Sequence, residues 1–150
     1  MNQNTPVETI SRDTQEGHEL SGRTKTVTSY RTWLFSGGWP RFPDWPSKNV
    51  HTNVKFAQNC GLPERNASGA MLLAYLSEML INLFGERWLS EGRLKLKFTR
   101  PVSIDDMIIP KVRVISKDQE YDILQFDMEV WCENQDGHKV AFGTATGWIH

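Results

Sequence analysis

The sequence predicts a single α+β domain in which an antiparallel sheet is laid around one long central helix. Two observations carry this reading. The first is the run GAMLLAYLSEMLINLF at residues 69–84, apolar on nearly every side of a helix and interrupted only by Ser77, Glu78 and Asn82. A helix apolar all round is buried all round, and this one falls short of the ~20 residues of a membrane span. The second is a change in the apolar period to two from residue 93 onward, which marks strands with one face on a core.

Taken in order, residues 1–22 are polar, with Val7, Ile10 and Leu20 as isolated large apolar side chains. Such a segment does not offset its own ordering entropy. It is expected to be a flexible tail, or an arm lying on a partner subunit, with the folded domain at 23–150. Thr28 and Ser29 are good N-cap types, and a short helix carrying Trp33, Leu34 and Phe35 should end at Gly37-Gly38. The stretch PRFPDWPSKN that follows reads as a loop, because proline lacks an N–H and restricts the residue before it. Thr52 is placed to cap a second short helix over 53–59, stopped by Gly61 and Pro63.

After the central helix, Leu94, Leu96 and Phe98 alternate with Lys95, Lys97 and Thr99, and Val112 and Val114 mark a strand between Met107 and Lys117. Leu124, Phe126, Met128, Val130 and Cys132 alternate with mostly polar residues. In the last strand Val140, Phe142, Thr144, Thr146 and Trp148 alternate with the small Ala141, Gly143, Ala145 and Gly147. Asn134-Gln135-Asp136-Gly137 supplies the turn between the last two strands.

The bulk properties exclude several classes. A chain of 150 residues fits one domain. A net charge of −1 offers no electrostatic reason to expect nucleic acid or an anionic membrane as partner. Cys60 and Cys132 stand far apart in no metal-like spacing and read as reduced thiols of a cytoplasmic protein. No apolar core of a signal peptide precedes the domain, so secretion is not indicated. There is no phosphate-cradling glycine loop, no metal-ligand cluster and no serine or cysteine nucleophile motif. Neither a metal nor a redox cofactor is expected.

Three segments together resemble the MaoC-like hot-dog family of (R)-specific enoyl-CoA hydratases and acyl dehydratases. They are Ala67-Ser68-Gly69-Ala70-Met71 leading the central helix, Lys-Phe-x-Arg-Pro-Val at 97–102, and Gly143-Thr144-Ala145-Thr146 near the end. The likeness spans residues 27–149. The family's active-site signature runs Ser/Thr-Gly-Asp-x-Asn-Pro-aliphatic-His, then five residues and Ala. Ser36-Gly37 matches its first half, and Asn49-Val50-His51 with Ala57 its second.

The resemblance implies a hot-dog fold, reversible hydration of an enoyl thioester, His51 as acid/base, and the Gly69 backbone N–H as donor to the thioester carbonyl. The first N–H groups of a helix lack partners and carry partial positive charge, which suits that role. Imidazole suits proton transfer near neutral pH. The substrate would be an acyl-CoA or an acyl-carrier-protein thioester, so coenzyme A or phosphopantetheine enters with the substrate and no separate cofactor is implied. A homodimer covering its edge strands is implied too.

The chain departs from the signature where the catalytic aspartate belongs: Gly38 follows Ser36-Gly37, and extra residues including Asp44 separate the two halves. Asp44 either folds back beside His51 or is solvated. Asn49 either holds the water or orients His51, or is a turn residue. Ser68 is placed to add a hydroxyl beside Gly69. Trp33, Phe35, Trp39, Phe42 and Trp45 either pack the proline-rich loop or line an acyl pocket. Arg93, Lys95, Lys97 and Arg100 form a basic face, either solvated or in contact with carrier phosphates. Two further readings follow from the divergent loop. One is a repurposed isomerase, cyclase or thioesterase. The other is a non-catalytic hot-dog subunit, which requires both His51 nitrogens satisfied and no cavity beside Gly69.

Overall fold

The computed structural model describes residues 9–150. In chain order its elements are β1 (Glu19–Ser21), β2 (Lys25–Thr26), α1 (Ser29–Ser36), α2 (Val54–Asn59), α3 (Gly69–Phe84), α4 (Glu86–Glu91), β3 (Arg93–Phe98), β4 (Met107–Glu120), β5 (Ile123–Glu133) and β6 (Lys139–Ile149). The apolar run becomes α3 with the bounds the sequence predicts. Its Met71, Leu72, Tyr75, Leu76, Met79, Leu80, Leu83 and Phe84 are buried. Gly85 ends it at φ 66°, a left-handed conformation that glycine adopts without a Cβ penalty.

The sheet is antiparallel throughout, in the order β1-β4-β5-β6-β3, with β2 also pairing with β4. The four long strands lie where the period of two predicts them. Val112, Val114, Leu124, Phe126, Met128, Val130, Val140 and Ala145 face α3 and close one core with it. In β6 the small side of the alternation supplies much of that face: Ala141, Ala145 and Gly147 are buried, while Phe142 is exposed. The reason is steric. A Cβ on Gly147 would stand 2.8 Å from the Phe84 ring, so the strand gives up side-chain volume where the helix supplies an aromatic.

Two parts differ from expectation. Residues 9–22 are not a flexible tail: β1 pairs with β4 through Leu20↔Val112, and Ile10 and Leu20 are 7% and 1% exposed. Backbone pairing on the open edge of β4 supplies what the sparse apolar residues do not, including Gly17 N–H to Val114 O at 2.8 Å and Val114 N–H to His18 O at 3.0 Å. Val7 lies outside the described residues. The second difference is α4, a short helix that the sequence reading missed because six residues show no periodicity. Its Trp88 is buried and stacks on Phe84 at 6.2 Å.

On the outer face of the sheet Trp131 is buried beneath two cations, Arg113 and Lys139, at 5.4 and 4.4 Å from its ring. Glu133 accepts from Lys111 Nζ at 3.1 Å and from Trp131 Nε1 at 3.2 Å. The Lys111 bond, then the Trp131 bond, holds the Glu133 carboxyl below its usual range. Both cysteines are free; burial pushes the Cys132 thiol up to about 12.

Two outcomes test this packing. Gly147→Ala should cost about 1–3 kcal/mol in urea unfolding, as expected for overpacking a filled core; an unchanged midpoint would remove Phe84 from that contact. A carboxyl whose pKa is lowered on folding stabilises above its unfolded pKa and loses that contribution as pH falls through the folded value. The stability gap between wild type and Glu133→Gln should therefore narrow on acidification below the ordinary glutamate range, followed by unfolding at stepped pH.

Candidate active site

The site is built on the loop between α1 and α2. Thr28 Oγ1 accepts from the Arg31 N–H at 3.2 Å and starts α1. Gly37 ends it, donating to Trp33 O at 2.7 Å. The proline-rich segment then leaves and returns to the same point. Ser47 N–H donates to Gly37 O at 2.8 Å, and Asn49 Nδ2 donates to Ser36 O at 2.6 Å. Thr52 Oγ1 donates to Ser47 O at 2.6 Å and accepts from Asn49 N–H at 3.0 Å. Thr52 thus ties the loop, and Asn53, whose Oδ1 accepts from Phe56 N–H at 2.9 Å, is the residue that caps α2. Trp45 packs edge-on against Trp33 and Tyr30, at 6.0 and 6.2 Å between ring centres.

His51 emerges from this knot. Its backbone N–H donates to Asn49 Oδ1 at 2.8 Å. Its ring Nδ1 lies 2.8 Å from the backbone carbonyl oxygen of Asn66. A carbonyl only accepts, so this bond requires the proton on Nδ1, and in the neutral ring the lone pair is then on Nε2. Nε2 has no hydrogen-bond partner among the described residues.

Asn66 stands three residues before the head of α3. The segment is held by the Asn66–Ser103 bridge and by Ala67 N–H to Val102 O at 2.7 Å. At the head itself Ser68 occupies the N-cap position without a side-chain cap bond, and its hydroxyl is buried with no partner among the described residues. Asn66 Oδ1 is in the same condition. The Gly69 N–H belongs to the first turn, where no carbonyl of the helix reaches it. Beside it opens a cleft of about 360 Å³, lined by Asn66, Ala67, Gly69 and Leu72 on one side and residues 98–102 on the other. Asn66 therefore belongs to both features: its carbonyl holds the imidazole and its residue borders the cleft at Gly69.

Glycine at 69 also has a packing reason, since a Cβ there would stand 2.9 Å from the Phe98 ring. Among the described residues no group of three or more His, Cys, Asp or Glu side chains could hold a metal ion.

No family model and no curated protein matches this sequence. Solved structures do match its architecture. A MaoC-like dehydratase from Rhodospirillum rubrum aligns at a TM-score of 0.71 and 17% identity, over 91% of this chain and 93% of that one. The fold is a hot-dog. An (R)-hydratase from Pseudomonas aeruginosa aligns at 0.68 and 23% identity, over 91% and 87% of the two chains. A 3R-hydroxyacyl-ACP dehydratase complex from Mycobacterium tuberculosis aligns at 0.61 and 13%, over 89% and 96%.

Within this hot-dog the expected site residues separate. His51 is joined to Asn66 through its ring, and Ser68 and Gly69 follow Asn66 in the chain, but of these three only Gly69 lines the cleft. Asn49 reaches the backbone of His51 and not its ring, so it positions the segment and does not set the tautomer. Asp44 is exposed and makes no hydrogen bond or ion pair among the described residues. Trp33 and Trp45 pack on each other, while Trp39 and Phe42 are 60% and 64% exposed; none of these four lines the cleft at Gly69. Of the basic strand residues only Arg100 reaches it. Gly38, in the aspartate's slot, has φ 80°. Asn66 and Phe98 carry no site signal in the sequence. Asn66 acts through its carbonyl, which side-chain identity cannot signal, and Phe98 was assigned to the sheet alternation alone.

Asn49→Ala would leave the His51 N–H and the Ser36 carbonyl without their partner. It should cost about 1–3 kcal/mol, the usual penalty for orphaned groups, and should speed hydrogen exchange at the His51 amide. Wild-type exchange in the variant would show that the knot holds without Asn49.

Proposed function

We propose that this hot-dog domain adds water to, or removes it from, an enoyl/3-hydroxyacyl thioester. The observation that supports this most directly is the His51 Nδ1 bond to the Asn66 carbonyl, which leaves Nε2 as a base and ties the ring to the segment heading α3. In this reading the thioester carbonyl oxygen accepts from the Gly69 N–H, where the helix dipole favours developing negative charge. Nε2 takes a proton from water as the oxygen bonds to Cβ. The same nitrogen then returns a proton to Cα as the enolate collapses, so the elements of one water are added. Dehydration is the reverse. With glycine in the aspartate's slot, His51 handles both transfers.

The cleft beside Gly69 and the unpartnered Nε2 favour this over a non-catalytic subunit, which requires the opposite of each. Gly38 favours a second reading, in which one base and one oxyanion donor isomerise a double bond. Exchange of the α-proton with solvent deuterium, with no hydroxyacyl product formed, would distinguish it. Coenzyme A or phosphopantetheine would arrive as part of the substrate. A homodimer would join across the open edge of β3, where Phe98 lies exposed at the strand's end.

His51→Ala should lower kcat on a suitable enoyl thioester by about 10²–10⁴-fold, the range for loss of a general acid/base. Full activity in that variant would overturn the assignment. Lower KM-weighted activity with unchanged kcat would instead reduce His51 to a binding role.

A further inference from the structure

We propose that the cavity between α4 and the tip of the β4–β5 hairpin binds a small organic cation, one that carries an ammonium or guanidinium group. Its volume is about 490 Å³, within the usual size of a small-molecule site. It shares no lining residue with the cleft at Gly69, so it stands apart from the thioester chemistry.

Strand register sets one wall. Asp118 stands opposite Gln125, and Gln125 stands opposite Trp148. Residues directly opposite in an antiparallel pair point to the same side, so these three side chains form one row on one face. Glu120 and Ile123 are opposite each other, two positions further along their strands, and continue that face. All five line the cavity. Trp148 is fixed in its row. Its Nε1 donates to Gln125 Oε1 at 3.2 Å, and Arg93, which does not line the cavity, stands over its ring at 5.5 Å. Helix α4 supplies the other wall through Arg87 and Glu91.

Charge identifies the ligand. Arg87 is paired with Glu91 at 3.6 Å, one turn on. Asp118 and Glu120 form no ion pair among the described residues, so the charge left over on the cavity wall is negative. A cation is drawn both to carboxylates and to the electron-rich surface of an indole. A bare metal ion fits less well, because no group of three His, Cys, Asp or Glu side chains among the described residues could hold one, and a ring adds nothing to its oxygen shell. The hairpin tip gives an independent sign. Tyr121-Asp122 joins β4 to β5, and Tyr121, another lining residue, has φ 55° and is 89% exposed. Two-residue hairpin loops require positive φ and fill it mostly with glycine or asparagine. A bulky residue there is strained, and this ring gains no burial in return; such strain collects at ligand clamps. The turn is braced as it stands, by Gln119 Nε2 donating to Tyr121 O at 3.0 Å and Arg12 Nη2 donating to Asp122 O at 2.8 Å. A preformed wall loses little entropy when it binds.

The test titrates choline and agmatine into the full chain by calorimetry, with dimethylbutanol as the uncharged carbon counterpart of choline. Wild type should bind both cations saturably and the alcohol about tenfold or more weakly, as for loss of a charge that faces a ring and carboxylates. Asp118→Asn/Glu120→Gln should lose about tenfold in affinity for both cations. Tyr121→Gly should bind them about threefold or more weakly while its urea midpoint rises, because glycine adopts the positive φ without strain. A tyrosine that is merely ill-placed would give the higher midpoint with affinity unchanged. No saturable binding to wild type, equal binding of the alcohol, or unchanged cation affinity in either variant overturns the proposal. Binding is read without any thioester, so loss of the hydratase reading would leave this result standing, and the reverse holds too.

Discussion

The first turn of α3 carries N–H groups that no carbonyl of its own helix can reach, and the rest of the molecule is arranged around that constraint. One side of the helix body packs against the sheet, while Leu73 on the other is 43% exposed. The chain leading into the head is pinned to the strand region at Val102 and Ser103, yet the Ser68 hydroxyl lends no cap. Buried polar groups without partners are uncommon in folded proteins. Two of them, on Asn66 and Ser68, sit beside the exposed start of a helix whose dipole favours anions. The most polarising point of the protein is thereby kept open at the edge of its most apolar element.

Much of the fold was legible because it follows from periodicity. The bounds of α3 and the positions of the four long strands came directly from the spacing of apolar residues. What escaped was carried by other forces. Residues 9–22 pair through their backbones, which composition does not register. The inward side of β6 was decided by Phe84, a residue more than fifty positions away, and not by the hydrophobicity of the strand. Helix α4 is stabilised by one tryptophan against that same ring. In the first two cases the deciding partner is distant in sequence, and in the third it lies four residues away, across the turn at Gly85.

The site divides along the same line. His51 and Gly69 are candidates that local motifs single out. The bond that relates His51 to the helix head uses a backbone carbonyl, and every residue has one, so only the folded chain could reveal Asn66. The aromatic cluster was legible as a group but not in its orientation. Trp33 and Trp45 turn inward to brace the loop, and Trp39 and Phe42 turn outward. Alternating side chains around a proline-rich turn do not follow a helical or extended period, and no spacing rule assigns their direction.

The backbone at Gly38 has a consequence for engineering. Its positive φ belongs to a region that residues with a Cβ enter only with strain. Placing a carboxylate side chain there would bend the chain away from its resting shape, and a Cβ would also crowd the Ser47 hydroxyl at 3.3 Å. A side chain at position 38 therefore asks for a change of backbone as well as of residue. Accommodating one would mean redrawing the excursion between residues 37 and 47, whose two ends are joined by the Ser47 N–H bond to Gly37 O.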